Sequence, residues 1–471
     1  LPIIEYHGFM MIFDFLTFCG VIGLLVAIGL YKSKTIRSES AYLFAERKTK
    51  WAALTATLVM TEFNSATLIS FSSLGYIAGF WALVLPFIFL FGLIFYALTV
   101  AEKWKAFDGL SVAGFFSKRY GKNMGTYASI LLLLAMLGFS AAYIKSLILL
   151  FHPIFPSIEP WILSTGLLAI VFVMSLRGGL IAIIRTDVLS LILMLVFFPL
   201  MAFFMWKAPI LSEISSTVSL SLAQGQKILP LRFIFSLTIL TMFTYILAPW
   251  YGQKIFAAKS PKVAYWAVIT AAILVFFLYG AAIFATALFR SKGFESPSPE
   301  QALPCLINHC LPLGFKGIAY ALLFATSATT LTGVWSAMSA MWIGDFLKTH
   351  LDSTLISCRR SILATTVFAA ISLLLANTLI DSVFNKLILA NIPVAALSFG
   401  LLAGFYWKKA SWQGVYLSIM MGCLCGAGAY CIFGEEGGYT WYWAVYGIPL
   451  TFLVGILGSL FSRETVAVNA E

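Results

Sequence analysis

Residues 57–76, TLVMTEFNSATLISFSSLGY, place Glu62, Asn64, Ser65 and Thr67 in the middle of an otherwise apolar stretch long enough to cross a bilayer. A carboxylate at that depth costs roughly 2.5–3.5 kcal/mol even on lenient insertion scales, so it calls for a cation, a proton or a donor beside it. The backbone is equally constrained, because unpaired polar groups survive in a membrane only against protein or a lined cavity. The stretch therefore reads as a membrane helix interrupted at Thr61–Ser65, with function concentrated at the interruption.

Composition sets the class around it. With 61% hydrophobic and 10% charged residues in a chain of 471, a soluble globule is excluded. Apolar runs able to span roughly 30 Å of hydrocarbon as helix lie at about 9–31, 51–76, 80–101, 125–151, 159–183, 186–207, 231–254, 263–290, 313–345, 360–383, 386–407, 412–433 and 440–462. That makes about thirteen transmembrane helices in an all-α polytopic membrane protein. The connections are too short for a second globular domain, so 1–471 reads as one transmembrane domain. The first run is too long for a signal-peptide core and lacks a basic stretch ahead of it, and so reads as a retained span.

Lysine and arginine set an expected orientation. With the N-terminus outside, one set of connections carries 22 of the 30 basic residues and the opposite set 7, with Lys145 inside a span. The positive-inside bias then puts the N-terminus outside and the C-terminus in the cytoplasm of a cell membrane, and the formal charge of +11 reflects loops facing anionic lipid. No basic patch sits on a soluble module, so nucleic acid is not an expected partner. Cys305 and Cys310, in CLINHC, leave open a plain loop, a disulfide or, with His309, a metal contact.

A second interruption is expected in the seventh run, at Ala248-Pro249-Trp250-Tyr251-Gly252. Taken alone, Pro249–Gly252 also reads as a simple kink, and Glu62 as a carboxylate bonded to its neighbours. Their positions argue for more. The second run heads one block of five spans and the seventh heads the next; five is odd, so the blocks enter the membrane from opposite sides. Paired broken helices at matching places in two inverted halves point to a secondary transporter's midplane site. The expected division is a peripheral first span (9–31), a first repeat (51–207), a second repeat (231–407) and two C-terminal spans (412–462). The ninth run adds Thr326-Ser327-Ala328-Thr329-Thr330-Leu331-Thr332. Such hydroxyls often bond back to their own helix, yet freed carbonyls on a broken helix facing two hydroxyls also make the oxygen cage that a hard cation takes.

Several stretches, in order, resemble the sodium:solute symporter family, which includes proline, sugar, sialate, choline and pantothenate transporters: AYLFAERKTKWAALTATLVM (41–60), GLSVAGFFSKRYG (109–121), SLRGGLIAIIRTDVLS (175–190), APWYGQKIFAAKSPKVA (248–264), ATSATTLTG (325–333) and GFYWKKASWQG (404–414). The resemblance implies a sodium site from the carbonyls of Met60, Phe63 and Thr326 and the hydroxyls of Thr329 and Thr330. It places Glu62 where proline transporters carry a functional aspartate. Asp187 resembles a carboxylate that some members use for a second sodium, whose partner hydroxyls correspond to Thr332 and Gly333; one of them is missing here, which favours a single sodium.

For substrate, Thr67, Pro86 and Ala248 stand where sugar-binding members have amide and carboxylate groups, which argues against a sugar. Glu62, Asn64, Ser65, Tyr143, Thr244 and Trp250 suit a small polar or zwitterionic solute, with Thr67 and Ala248 beside them. Lys145 either meets a carboxylate or snorkels to the outer headgroups. The expected function is sodium symport of a small polar organic solute, an amino acid such as proline, by alternating access. A proton-coupled transporter and a solute-binding membrane sensor are the alternatives. An enzyme is not expected, since no HExxH, GxSxG or phosphate-binding loop is present. Oligomeric state is left open.

Overall fold

A computed structural model describes residues 12–30, 45–107, 109, 111–175, 179–210, 221–347, 355–435 and 438–462, and they form helices with no strand ladder among them. Lys32, Lys34, Arg37, Arg177, Lys348 and Arg463, all part of the charge count, lie outside the described residues. The range expected for the first repeat holds α2 (Trp51–Glu62), α3 (Ser65–Ala78), α4 (Pro86–Phe107), α5 (Val112–Tyr120), α6 (Lys122–Phe151), α7 (Pro160–Ser175) and α8 (Gly179–Lys207). After α9 (Leu222–Ile228), the range expected for the second holds α10 (Leu231–Tyr245), α11 (Pro249–Phe256), α12 (Pro261–Ser291), α13 (Ala302–Cys310), α14 (Phe315–Met341), α15 (Leu355–Thr378), α16 (Val383–Ala396) and α17 (Ser398–Tyr406). A peripheral helix, Ile12–Leu30, precedes them, and Trp412–Phe433 and Tyr439–Phe461 follow.

Each expected span position holds helix. Among the described residues, eleven helices qualify as membrane spans by length and composition, and a pair bent by 56°, α9 with α10, makes up to twelve. The fifth expected span shrinks to α7, and the sixth starts at Gly179 instead of residue 186. Asp187 thus lies about two turns inside α8, not at its rim, and is fully buried.

The first interruption occurs within the expected Thr61–Ser65; the second lies at Ile246–Ala248, ahead of most of the expected Ala248–Gly252, because Pro249 opens a helix that takes in Trp250, Tyr251 and Gly252. Helix α2 stops at Glu62 and α3 starts at Ser65; α10 stops at Tyr245 and α11 starts at Pro249. Local chemistry explains each restart. Asn64 caps α3 by accepting from the Thr67 N–H at 2.9 Å, and Pro249 occupies the first turn of α11, where its missing N–H costs nothing. The repeats are stitched at one rim by a backbone bridge: Thr49 N–H donates to Ala257 and Lys259 N–H to Thr49, both at 2.9 Å. At the other rim Asp14 accepts from the Gly314 N–H at 2.6 Å. Each contact joins connections that the span count puts on one side.

Helix α14 runs through the centre with nearly every side chain covered. Close helix approach depends on small residues: a Cβ on Gly75 would stand 2.5 Å from Thr286 Oγ1 and 3.0 Å from the Ile283 carbonyl, which binds α3 tightly to α12. The outer faces are apolar, with Leu98, Phe277, Ile432 and Phe461 exposed, as a lipid-facing belt demands. The CLINHC segment lies in the short helix α13, in which Cys305 and Cys310 are not joined by a disulfide and His309 Nδ1 lies 2.8 Å from the Cys305 carbonyl.

Candidate functional site

The break in the second span leaves its own oxygens uncovered. Asn64 N–H, which would have gone to Met60 in a continuous helix, donates to the Glu62 carbonyl at 2.9 Å. Asn64 Nδ2 and the Tyr279 hydroxyl converge on that same carbonyl at 3.0 and 2.7 Å. The Thr67 N–H, taken by Asn64, no longer reaches Phe63. As a result the Phe63 carbonyl has no hydrogen-bond partner among the described residues, and the Met60 carbonyl meets only the Thr330 hydroxyl, at 3.3 Å. The Phe63 ring is wedged between Phe198 and Tyr279, with centroids 4.8 and 4.7 Å away, and this fixes the break in place.

Facing it, Thr330 Oγ1 donates to the Thr326 carbonyl at 2.8 Å, and Thr329 Oγ1 donates to the same carbonyl at 3.1 Å. The back-bonding that a helical threonine normally makes is thus combined with an approach to the broken helix. Oxygens 2.8–3.3 Å apart around Thr330 have the spacing of neighbouring ligands on a hard cation with metal–oxygen distances of about 2.4 Å. The structure brings all five residues of the expected cage, Met60, Phe63, Thr326, Thr329 and Thr330, into the buried core.

A second cluster abuts this one, and sequence reasoning missed its centre. Lys254, counted with the loop lysines, is 1% exposed. Its ammonium donates to the Thr57 carbonyl at 2.9 Å and to the Thr61 hydroxyl, and it stands 3.5 Å from Asp187 Oδ2. Asp187 also accepts from the Thr57 hydroxyl at 2.5 Å, with Thr329 alongside it. A buried pair of this kind is held by its hydrogen bonds as much as by charge, and losing one partner costs about 3–5 kcal/mol. Thr332, expected beside Asp187, is buried and bonds back to the Ala328 carbonyl at 2.7 Å.

Next to the break lies a small cavity, about 80 Å³, walled by aromatic side chains that include Phe89, Phe139, Tyr143, Tyr245 and Trp250, with Asn64, Thr67, Thr241 and Asn391 as polar groups. Of the expected solute contacts, Asn64, Thr67, Tyr143 and Trp250 line it. Four others do not. Ser65 is engaged with Ser146 at 2.5 Å, Thr244 is buried with its hydroxyl unpartnered, and Ala248 is the residue before Pro249 at the start of α11. Lys145 lies near Glu300 at the rim, where its positive charge acts on that carboxylate. Glu62 stands behind the wall: its Oε1 accepts from the Tyr245 hydroxyl, and Oε2 is buried with no hydrogen-bond partner. Tyr245 therefore touches both the cavity and the carboxylate of the broken span.

The family model described as "SSF: Sodium:solute symporter family" matches residues 42–422. The sodium/glucose cotransporter of Vibrio parahaemolyticus is 24% identical over 481 residues, covering 88% of this chain and 84% of that protein. A structure described as the substrate-bound outward-open state of a Na+-coupled sialic acid symporter aligns with a TM-score of 0.81 at 18% identity, over 97% of this chain and 100% of that one. MhsT in complex with L-phenylalanine aligns with a TM-score of 0.54 at 15% identity, over 88% of this chain and 100% of that one. At such identities the structural likenesses speak for a shared fold.

Proposed function

Since this chain belongs to the sodium:solute symporter family, we propose that it imports a small polar organic solute, an amino acid such as proline, together with sodium by alternating access. Sodium is its coupling ion, and the chain is a multi-pass membrane protein. The ion's ligands in this reading are the carbonyls of Met60, Phe63 and Thr326 and the hydroxyls of Thr329 and Thr330. The observation that carries it is the Thr330 hydroxyl, which sits within 3.3 Å of the Met60 carbonyl at the edge of the break and of the Thr326 carbonyl on its own helix. Sodium there orders Met60–Asn64, and Asn64 lines the adjoining cavity, so ion and solute each favour the same arrangement of the break. That shared preference is the coupling, and it is reciprocal. Membrane potential adds about 2.3 kcal/mol per charge per 100 mV to inward movement.

An amino acid is favoured by what the cavity presents. Its walls carry no charged side chain, yet the first turn of α3 opens toward it from Asn64, and the positive end of a helix suits a carboxylate. Aromatic faces suit the ammonium or an apolar body. A sugar would need more directed hydrogen bonds than Asn64, Thr67, Thr241 and Asn391 supply. In this reading the Thr49–Ala258 rim is cytoplasmic and the Asp14–Gly314 rim external.

Thr330→Val is expected to reduce sodium-stimulated uptake into liposomes by at least roughly tenfold, about 1.4 kcal/mol, while the melting transition changes little; sodium affinity equal to wild type would remove the cage. The solute is found by presenting labelled amino acids and organic acids under an imposed sodium gradient, with and without voltage. Equal accumulation in potassium-only buffer would end the sodium reading. The unpartnered Oε2 of Glu62 supports a second reading, in which that carboxylate carries a proton. Glu62→Gln is expected to weaken sodium activation. If uptake instead follows a pH gradient without sodium and Glu62→Gln abolishes it, the proton reading replaces the first.

A further inference from the structure

The ammonium of Lys254 sits where a metal cation would. All eight residues of α11 are buried, and the Lys254 stem runs past Gly333, whose missing Cβ would stand 3.8 Å from Lys254 Cε. At the end of that stem the Thr57 carbonyl, the Thr61 hydroxyl and Asp187 Oδ2 converge, three acceptors for three N–H donors. The same small volume holds the Thr57 hydroxyl on Asp187, at 2.5 Å, with Thr329 alongside. A carboxylate, a backbone carbonyl and several hydroxyls from three helices form the hard-oxygen set that a small cation takes, and here a side chain fills it.

We propose that Lys254 is a tethered cation, permanently occupying a second cation site built around Asp187, so that the chain binds and carries one sodium per cycle. The inference rests on the Thr330 cage for that one ion. The two clusters share parts: the Thr61 carbonyl is 3.5 Å from Thr330 Oγ1 while the Thr61 hydroxyl holds Lys254, and Thr329 adjoins both Thr326 and Asp187. A second mobile sodium at Asp187 would have to displace the ammonium from its acceptors or share one carboxylate with it, against like-charge repulsion in a medium of low dielectric. The fixed charge also prepares the mobile site. Asp187 Oδ1 has no hydrogen-bond partner, and it is the acceptor to which the Thr329 O–H turns when that oxygen's lone pairs take up sodium.

The test counts ions without needing the solute: binding of sodium-22 to purified protein in detergent, with the melting transition followed against sodium concentration. The expected counts per chain are one for wild type, two for Lys254→Met, one for Lys254→Met with Asp187→Asn, and one for Lys254→Arg. Sodium should raise the melting temperature of Lys254→Met more than that of wild type. Two ions on wild type would overturn the inference without any variant, as would a count on folded Lys254→Met no higher than that of wild type. No ion on wild type with one gained by Lys254→Met would keep the inference and remove the Thr330 cage. One ion on both would do the reverse.

Discussion

The two helix breaks occupy matching places in inverted repeats, yet they treat their backbone oxygens in opposite ways. In the second span, three donors crowd onto the Glu62 carbonyl, which leaves that of Met60 facing Thr330 and that of Phe63 without a hydrogen-bond partner among the described residues. In the seventh, most of the oxygens are covered: the Trp104 indole donates to the Ile246 carbonyl at 2.8 Å, and the Leu247 and Ala248 N–H groups fold back on Thr244 and Tyr245 at 3.1 Å, which leaves the Leu247 carbonyl alone without a hydrogen-bond partner among the described residues. What the seventh span offers instead is the short helix that carries Lys254 inward. The same structural device thus yields acceptors in one repeat and a cation in the other, so symmetry of fold does not imply symmetry of role.

The comparison can be broken from either end. The largest effect is expected from Asp187→Ala, which leaves the Lys254 ammonium buried without its counter-charge and should lower stability by about 3–5 kcal/mol, read in denaturation of the purified protein. Trp104→Phe uncovers the Ile246 carbonyl of the second break and should cost about 1–3 kcal/mol for the orphaned carbonyl, with sodium affinity unchanged; a loss of sodium affinity there would show that this break also serves the ion. Asn64→Ala removes the cap of α3 and should cost only about 1 kcal/mol, but it frees the Thr67 N–H to return to Phe63 and so should weaken sodium binding severalfold. If stability falls and sodium affinity does not, the first break is merely structural.

Much of this arrangement was legible in the sequence because it rests on local chemistry. Glu62-Phe63-Asn64-Ser65 announces a stop and a capped restart, and Ala248-Pro249 announces another. Spans could be located because hydrocarbon demands length, although eleven to twelve of the expected thirteen qualify among the described residues. Asp187 was placed at the start of the sixth span because that span was read from residue 186, whereas the helix begins at Gly179 and carries the carboxylate inside. Lys254 was hidden for a related reason. With Lys259 and Lys262 following, QKIFAAKSPK looks like a solvated helix end, and only its pairing with α8 and α2 reveals a buried charge. The absence of a hydroxyl at Gly333 was the one visible hint, since it marked a place where something other than a threonine had to fit. The cavity walls gather Phe71, Phe89 and Phe384 from separate spans, and no spacing rule joins those.

The bridge between Thr49 and Ala258 has a bearing on motion. It fastens the entry of one discontinuous helix to the exit of the other by two backbone hydrogen bonds, and the Lys254–Asp187 pair ties the same two helices to α8 a short way above. Two fasteners on one side tie these helices together near that rim, so in the proposed import cycle they are expected to move as one. Opening the path there requires the pair to swing together, while their far halves, α3 and α10, remain free to part around the solute.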